Sequence, residues 1–168
     1  MKIYITGSVA SGKSTLARRL SAVSGIPCWH LDDVVYEKNP AGEWGNRKRP
    51  PEVREKQFAA ILAGDYIIED TGRECFLEGM RKAEQIIVLE IPRRVRYRRI
   101  LLRHVKQVLG VEKSTYRPSL EMVRYMFRWA KNFDTGADGV KARIAPFAEK
   151  TVTLHSEKEI KAFLERFK

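Results

Sequence analysis

Nine residues near the start, Gly7-Ser8-Val9-Ala10-Ser11-Gly12-Lys13-Ser14-Thr15, constrain this chain more than anything else in it. They follow Lys2-Ile3-Tyr4-Ile5-Thr6, an apolar run that reads as a buried strand, and they lead through Leu16-Ala17-Arg18-Arg19-Leu20 into an amphipathic helix. Strand, glycine-rich turn and helix in that order make a P-loop, a turn built to hold phosphate. The glycines let the backbone pass close to an anion, and the N–H groups of residues 8 to 14 converge on it at a helix N-terminus. The pattern assigns Lys13 to the β- and γ-phosphates of a nucleoside triphosphate and the Ser14 hydroxyl to Mg²⁺. The same letters on a surface loop would carry no such meaning; the flanking strand and helix supply it.

A chain of 168 residues is long enough to bury a proper core and too short for two full domains. The first strand begins at once, without a basic-then-apolar leader, and no apolar run approaches the ~20 residues that span a bilayer, so a cytoplasmic protein is expected. Cys28 and Cys75 sit in apolar segments without metal-ligand spacing and are expected as buried, reduced thiols. His30, His104 and His155 belong to no recognisable nucleophile or metal pattern. The net charge of +11 asks for an anionic partner, either nucleic acid or phosphorylated small molecules.

Apolar runs alternate with helical stretches, the pattern of a parallel sheet covered on both faces. Strands are expected at about 2–6, 27–31, 66–69, 85–91 and 151–154. Helices are expected at about 13–23, 51–63, 75–82, 93–109, 119–132, 138–148 and 156–166; Ser156 and Glu159 form a capping box for the last. Two connections rich in breakers or charge, 38–51 and 110–118, are long enough to be functional.

Around the P-loop, Leu31-Asp32-Asp33 falls at the C-terminal edge of the second strand, where open parallel sheets bind ligands. A carboxylate there orients a substrate hydroxyl or approaches the metal, unless Asp32 or Asp33 merely caps the next helix; Asp32 is nearer the strand end. The third strand ends in Glu69-Asp70-Thr71-Gly72-Arg73, placing two acids and an arginine by the phosphates. An acid there holds Mg²⁺ and the arginine grips phosphate, unless the acids merely open a solvated turn. In the helix at 93–109, Arg96, Arg99, Arg103 and Lys106 share one sector, with Tyr97, Leu101, Val105 and Val108 opposite. The expectation is a basic face over the triphosphate and a core face behind it.

Together, the P-loop, the aspartate after strand two, the acid–arginine element and an arginine helix entering a lid resemble the adenylate-kinase-like P-loop kinases. Within that group, Leu31-Asp32, the 40–44 loop, the strand ending in Glu69 and Arg117-Pro118 are similar to the DNA topology modulation (FlaR-like) proteins. The resemblance implies an α/β P-loop NTPase fold, a five-stranded parallel sheet of order 2-3-1-4-5, in one domain spanning 1–168. It implies a substrate-side loop at about 38–51 and a lid at about 106–118. Arg99-Ile100-Leu101-Leu102-Arg103 matches the lid-entrance motif R-I-x-x-R, so Arg99 and Arg103 would contact ATP. Arg117 and Arg128 have the eleven-residue spacing of the arginines that embrace the transferred phosphoryl group. Glu69 would serve the metal, while Asp32, Trp44 and Arg73 would hold the acceptor. Here Glu69 and Asp70 stand where the family motif D-G-x-P-R has Asp and Gly. The lid carries no Cys or His set, which excludes a zinc staple.

The resulting expectation is a monomeric, Mg²⁺-dependent kinase that transfers the γ-phosphoryl group of ATP to a small acceptor, a nucleotide or nucleoside first. The alternatives are an ATP-binding regulator docking on DNA through its basic helix, or a plain NTPase. No recognised nucleic-acid module speaks for the regulator, and DNA is not the favoured partner.

Overall fold

The computed structural model describes the whole chain except residues 40, 43, 44, 115 and 168. Five parallel strands form one sheet: β1 (Lys2–Gly7), β2 (Cys28–His30), β5 (Tyr66–Glu69), β6 (Gln85–Leu89) and β7 (Thr151–Leu154). Their spatial order is β2-β5-β1-β6-β7, the 2-3-1-4-5 arrangement that the resemblance implies.

Strand alternation divides the core in two. On one side Tyr4, Tyr66, Ile68, Ile86 and Val88 pack with Phe58 and Ile61 of α3 (Pro51–Leu62), Met80 of α4 (Leu77–Lys82) and Val140 of α7 (Val140–Ile144). On the other, Ile3, Ile5, Ile67, Ile87 and Leu89 pack with Leu16 and Leu20 of α1 (Lys13–Ser24) and Phe163 of α8 (Glu157–Glu165). Ser156 caps α8 by accepting from the Glu159 N–H, as the capping box requires.

Two long helices, α5 (Arg93–Val108) and α6 (Leu120–Thr135), lie beside the P-loop. Ile100, Met122, Val123 and Met126 form with Ala10 a third small core that joins this pair to the phosphate turn. The orientation of α5 keeps Tyr97 against that core and Arg99, Arg103 and Lys106 toward the P-loop, but overturns the rest of the expected division of its faces. Leu101, Val105 and Val108 are 50%, 51% and 62% exposed, whereas Arg96 and Ile100 are buried. The inward face is the one bearing Arg96 because every arm of that guanidinium finds an acceptor, and a hydrogen-bonded arginine stem packs like an aliphatic chain.

Other departures are local. The breaker-rich 38–51 region contains a small antiparallel hairpin, β3 (Tyr36–Lys38) with β4 (Asn46–Lys48), held by Glu37 between Arg47 and Arg49. The second strand stops at His30 because Leu31–Val35 turns into a short helix, α2. The helices read at 75–82 and 138–148 each contain a 3-10 turn, Glu74–Phe76 and Ala145–Lys150. Cys75 is exposed, contrary to expectation, because Phe76 takes the inward position of that turn. Cys28 is partly buried on the sheet's edge strand. Among the described residues, no helix is long and apolar enough to cross a membrane.

Candidate active site

The parallel register brings the ends of β1, β5 and β2 to one edge, and the P-loop springs from the middle strand. Gly7 leaves β1 at φ +141°, and a Cβ there would sit 2.5 Å from the Leu89 carbonyl oxygen, so only glycine fits. Gly12 caps α1 at φ +101° without any side-chain cap, and the first turn of α1 carries no acid. With the Thr15 N–H already turned to the Gly12 carbonyl, the uncapped start of this helix at Lys13 and Ser14 suits an external anion. Ser11 points the same way: its hydroxyl is buried without a partner.

Lys13 is buried, and its ammonium donates to the Ser8 carbonyl at 2.9 Å while lying 3.8 Å from Glu69. Burial lowers its pKa, with Glu69, Asp32 and Asp70 pulling the other way, so the fields of three carboxylates converge on this amine. Glu69 accepts from Ser14 Oγ at 3.2 Å and from His30 Nδ1 at 2.9 Å. Burial alone would raise the Glu69 carboxyl; His30, Lys13 and Ser14 outweigh it and hold the pKa below the ordinary value. On the other side of the pair, Cys28 Sγ, 4.0 Å away, and then Glu69 push the His30 pKa up to about 10. The histidine set aside in the sequence thus belongs to the site. The signal was available in the strand register, which sets His30 directly opposite Glu69.

Asp70 faces the other way. Its buried carboxylate accepts from the Tyr4 hydroxyl at 3.0 Å, the Gly72 N–H at 2.7 Å and the Arg73 N–H at 2.6 Å, and it pairs with the Arg73 side chain. The second arm of Arg73 reaches Asp32. Asp32 lies in the first turn of α2, whose cap position is His30, so its side chain serves Arg73 rather than a helix cap.

From α5, Arg99 donates to the Ala10 and Ser11 carbonyls at 3.4 and 3.0 Å and pairs with Glu157. Arg103 pairs with Glu112 at 3.4 Å. A cleft of about 330 Å³ lies between them, lined by Ala10, Gly12, Thr15, Arg99, Arg103 and Glu157 among others. Arg96 does not join this group. It is a buried strut that donates to Ser8 Oγ, to the Ile91 carbonyl at 2.7 Å and to the Ala130 carbonyl at 3.3 Å, and it pairs with Asp134.

The two spaced arginines come from the end of the lid and from α6. Arg117 packs against Gly45 of the substrate-side loop, its Cγ 3.4 Å from where a Cβ would stand. Arg128 is exposed on α6, with its guanidinium 5.4 Å from the Tyr125 ring of the same helix. Trp44 lies outside the described residues.

The donor set suits a triphosphate with a hard divalent cation: an uncapped helix start, a lysine and an arginine for the phosphates, and a hydroxyl beside a carboxylate for the metal. Among the described residues, no cluster of three His, Cys, Asp or Glu side chains forms a metal cage, and an ion held largely by phosphate and water needs none.

Several solved structures share this fold. Shikimate kinase from Bacteroides thetaiotaomicron is 16% identical with a TM-score of 0.52, over 99% of this chain and 95% of its own. Gluconokinase from Sinorhizobium meliloti is 15% identical with a TM-score of 0.52, covering 98% and 91%. Deoxyadenosine kinase from M. mycoides, solved with bound dATP, is 15% identical with a TM-score of 0.51, covering 99% and 98%. No curated protein matches the chain. Residues 3–116, more than half of the sequence, match the family described as the AAA domain, and the chain belongs to that family.

Proposed function

We propose that this protein is a P-loop kinase that transfers the γ-phosphoryl group of ATP to a small acceptor. The observation that carries the reading is the acid-free, uncapped start of α1 with Lys13 folded into it, Arg99 across its mouth and Ser14 against Glu69. That several structures sharing this fold are small-molecule kinases supports it, as does the resemblance to adenylate-kinase-like and, more narrowly, FlaR-like proteins.

In this reading residues 7–15 cradle the phosphates. Lys13 exchanges the Ser8 carbonyl for phosphate oxygens, and Arg99 and Arg103 flank the nucleotide in the 330 Å³ cleft. Mg²⁺ would be held by Ser14 and Glu69 and would neutralise phosphate charge during transfer. His30 fixes the Glu69 carboxylate for that task. Asp32 and Arg73 hold the acceptor, and Trp44 belongs to the same side. The acceptor hydroxyl attacks the γ-phosphorus as the bond to ADP breaks. Arg117 and Arg128 then serve the transition state by lid closure, a movement that takes Arg128 off the Tyr125 ring. The chain acts as one domain, a cytoplasmic monomer, with 38–51 as substrate loop and 106–118 as lid.

The test is a phosphoryl-transfer screen of nucleosides, nucleotides and small metabolites with MgATP, read as ADP formation above the rate with water alone. At least one acceptor should raise that rate well above background. A screen without any acceptor, together with sub-micromolar, ATP-dependent binding of duplex DNA at physiological salt, would favour the DNA-bound regulator instead.

A further inference from the structure

The pairing of Arg73 points to the kind of acceptor this site takes, given the proposed placement of the acceptor at Asp32 and Arg73. Both arms of the Arg73 guanidinium are occupied by carboxylates, one arm by Asp70 and the other by Asp32. Arg73 cannot leave Asp70 without cost, since that carboxylate is fully buried and its remaining donors are all fixed: the Tyr4 hydroxyl and two backbone N–H groups. Two carboxylates on one guanidinium leave Arg73 without a free arm for an anion. Asp32, its side chain 66% exposed, is the member that presents itself to solvent.

The donor groups of most neighbouring cations are engaged as well. Arg143 spends its guanidinium on the Gly72 and Asp138 carbonyls, both at 2.8 Å. Arg47 and Arg49 pair with Glu37. Arg54 remains, its Nε buried without a partner and its charge felt at Cys75 alongside that of Arg73.

We infer that the acceptor is an uncharged hydroxyl compound, a nucleoside or polyol held by its hydroxyls, rather than a molecule already bearing phosphate. A hydroxyl donates to the exposed Asp32 carboxylate and leaves the Asp32–Arg73–Asp70 chain intact. A phosphate in the same place meets a like charge and has to displace Asp32 from Arg73 to gain a partner, and like-charge juxtaposition is strongly unfavourable.

The experiment uses matched pairs, a nucleoside with its 5′-monophosphate and a hexose with its phosphate, each as acceptor with MgATP and the full-length chain. In wild type, kcat/KM for the uncharged member should exceed that for the phosphorylated one by about tenfold or more. In Asp32→Asn, which removes one charge and releases one arm of Arg73, the ratio should fall by a similar factor or reverse. A wild-type preference for phosphorylated members overturns the inference, and loss of that preference in Arg54→Gln would show that Arg54 is the anion's partner. Absence of stimulation by every pair overturns it as well. Titration calorimetry of MgATP separates the failures: with ATP bound, only the acceptor inference falls, whereas absence of ATP binding removes the kinase reading itself.

Discussion

Replacing Arg96 by alanine tests whether this residue is the strut that the structure describes or a member of the basic comb over the triphosphate that the sequence suggests. Its guanidinium is 3% exposed and engages Ser8, Ile91, Ala130 and Asp134. In Arg96→Ala the Ile91 and Ala130 carbonyls lose a charged donor, and such bonds contribute about 1.5–3 kcal/mol each. Asp134 is not stranded, because it is 22% exposed and keeps Arg93 at 2.7 Å, so the full penalty of an orphaned buried charge does not apply. The expected loss is at least about 3 kcal/mol. For a chain of this length it appears as a fall in Tm of roughly 6–12 °C, since about 1 kcal/mol moves Tm by 2–4 °C. Val105→Asp, on the face the sequence assigns to the core but which is 51% exposed, should stay within about 0.5 kcal/mol of wild type. Thermal unfolding followed by far-UV circular dichroism reads both. An Arg96→Ala protein melting within about 2 °C of wild type, or a Val105→Asp protein that unfolds, would refute the orientation of α5.

Three further outcomes are expected. Arg99→Ala should weaken ATP binding, since Arg99 bridges the P-loop carbonyls and Glu157, whereas Arg128→Ala should lower turnover more than affinity; calorimetry beside steady-state kinetics distinguishes them, and a large affinity loss with unchanged turnover in Arg128→Ala contradicts its role. The His30–Glu69 pair should make stability pH-dependent in metal-free protein. A pKa raised to about 10 contributes fully below the unfolded value of 6.5 and fades as pH climbs through 10, while the lowered Glu69 pKa contributes above 4.5 and fades in acid. The Tm gap between wild type and His30→Gln in EDTA should therefore be widest near about pH 5–6 and close toward pH 10; a gap that grows with pH contradicts the pairing. Gly7→Ala drives a Cβ to 2.5 Å from the Leu89 oxygen at a positive φ and should cost roughly 2 kcal/mol or more in denaturant unfolding and abolish ATP binding; a neutral change would mean the turn is not built as described.

The sheet was legible in the sequence because its evidence is periodic: apolar runs at β1, β5 and β6, turn signals between them, and a P-loop that dictates a phosphate turn and a helix directly after β1. The order of strands came from resemblance rather than periodicity. What periodicity could not convey was which face of α5 turns inward. Arg96 and Val105 look like surface and core by residue type, and only the acceptors at Ser8, Ile91, Ala130 and Asp134, drawn from distant segments, reverse that. His30 was missed for a similar reason, since its partner lies 39 residues away and meets it only through strand register. Asp70 was legible as an acid by the site, but not as the buried anchor of Arg73, because Tyr4 at the middle of a hydrophobic strand gives no hint that its hydroxyl is spent there.

The central claim is that Lys13 and the turn around it serve phosphoryl transfer, and γ-labelled ATP tests it most directly. Wild-type protein with MgATP and an acceptor from the screen should move the label into an organic product distinct from inorganic phosphate. Lys13→Ala should fold normally and leave the product unlabelled, because Glu69 keeps His30 and Ser14 as partners when the ammonium is gone. Label found only in inorganic phosphate, or transferred equally well by Lys13→Ala, would contradict the account.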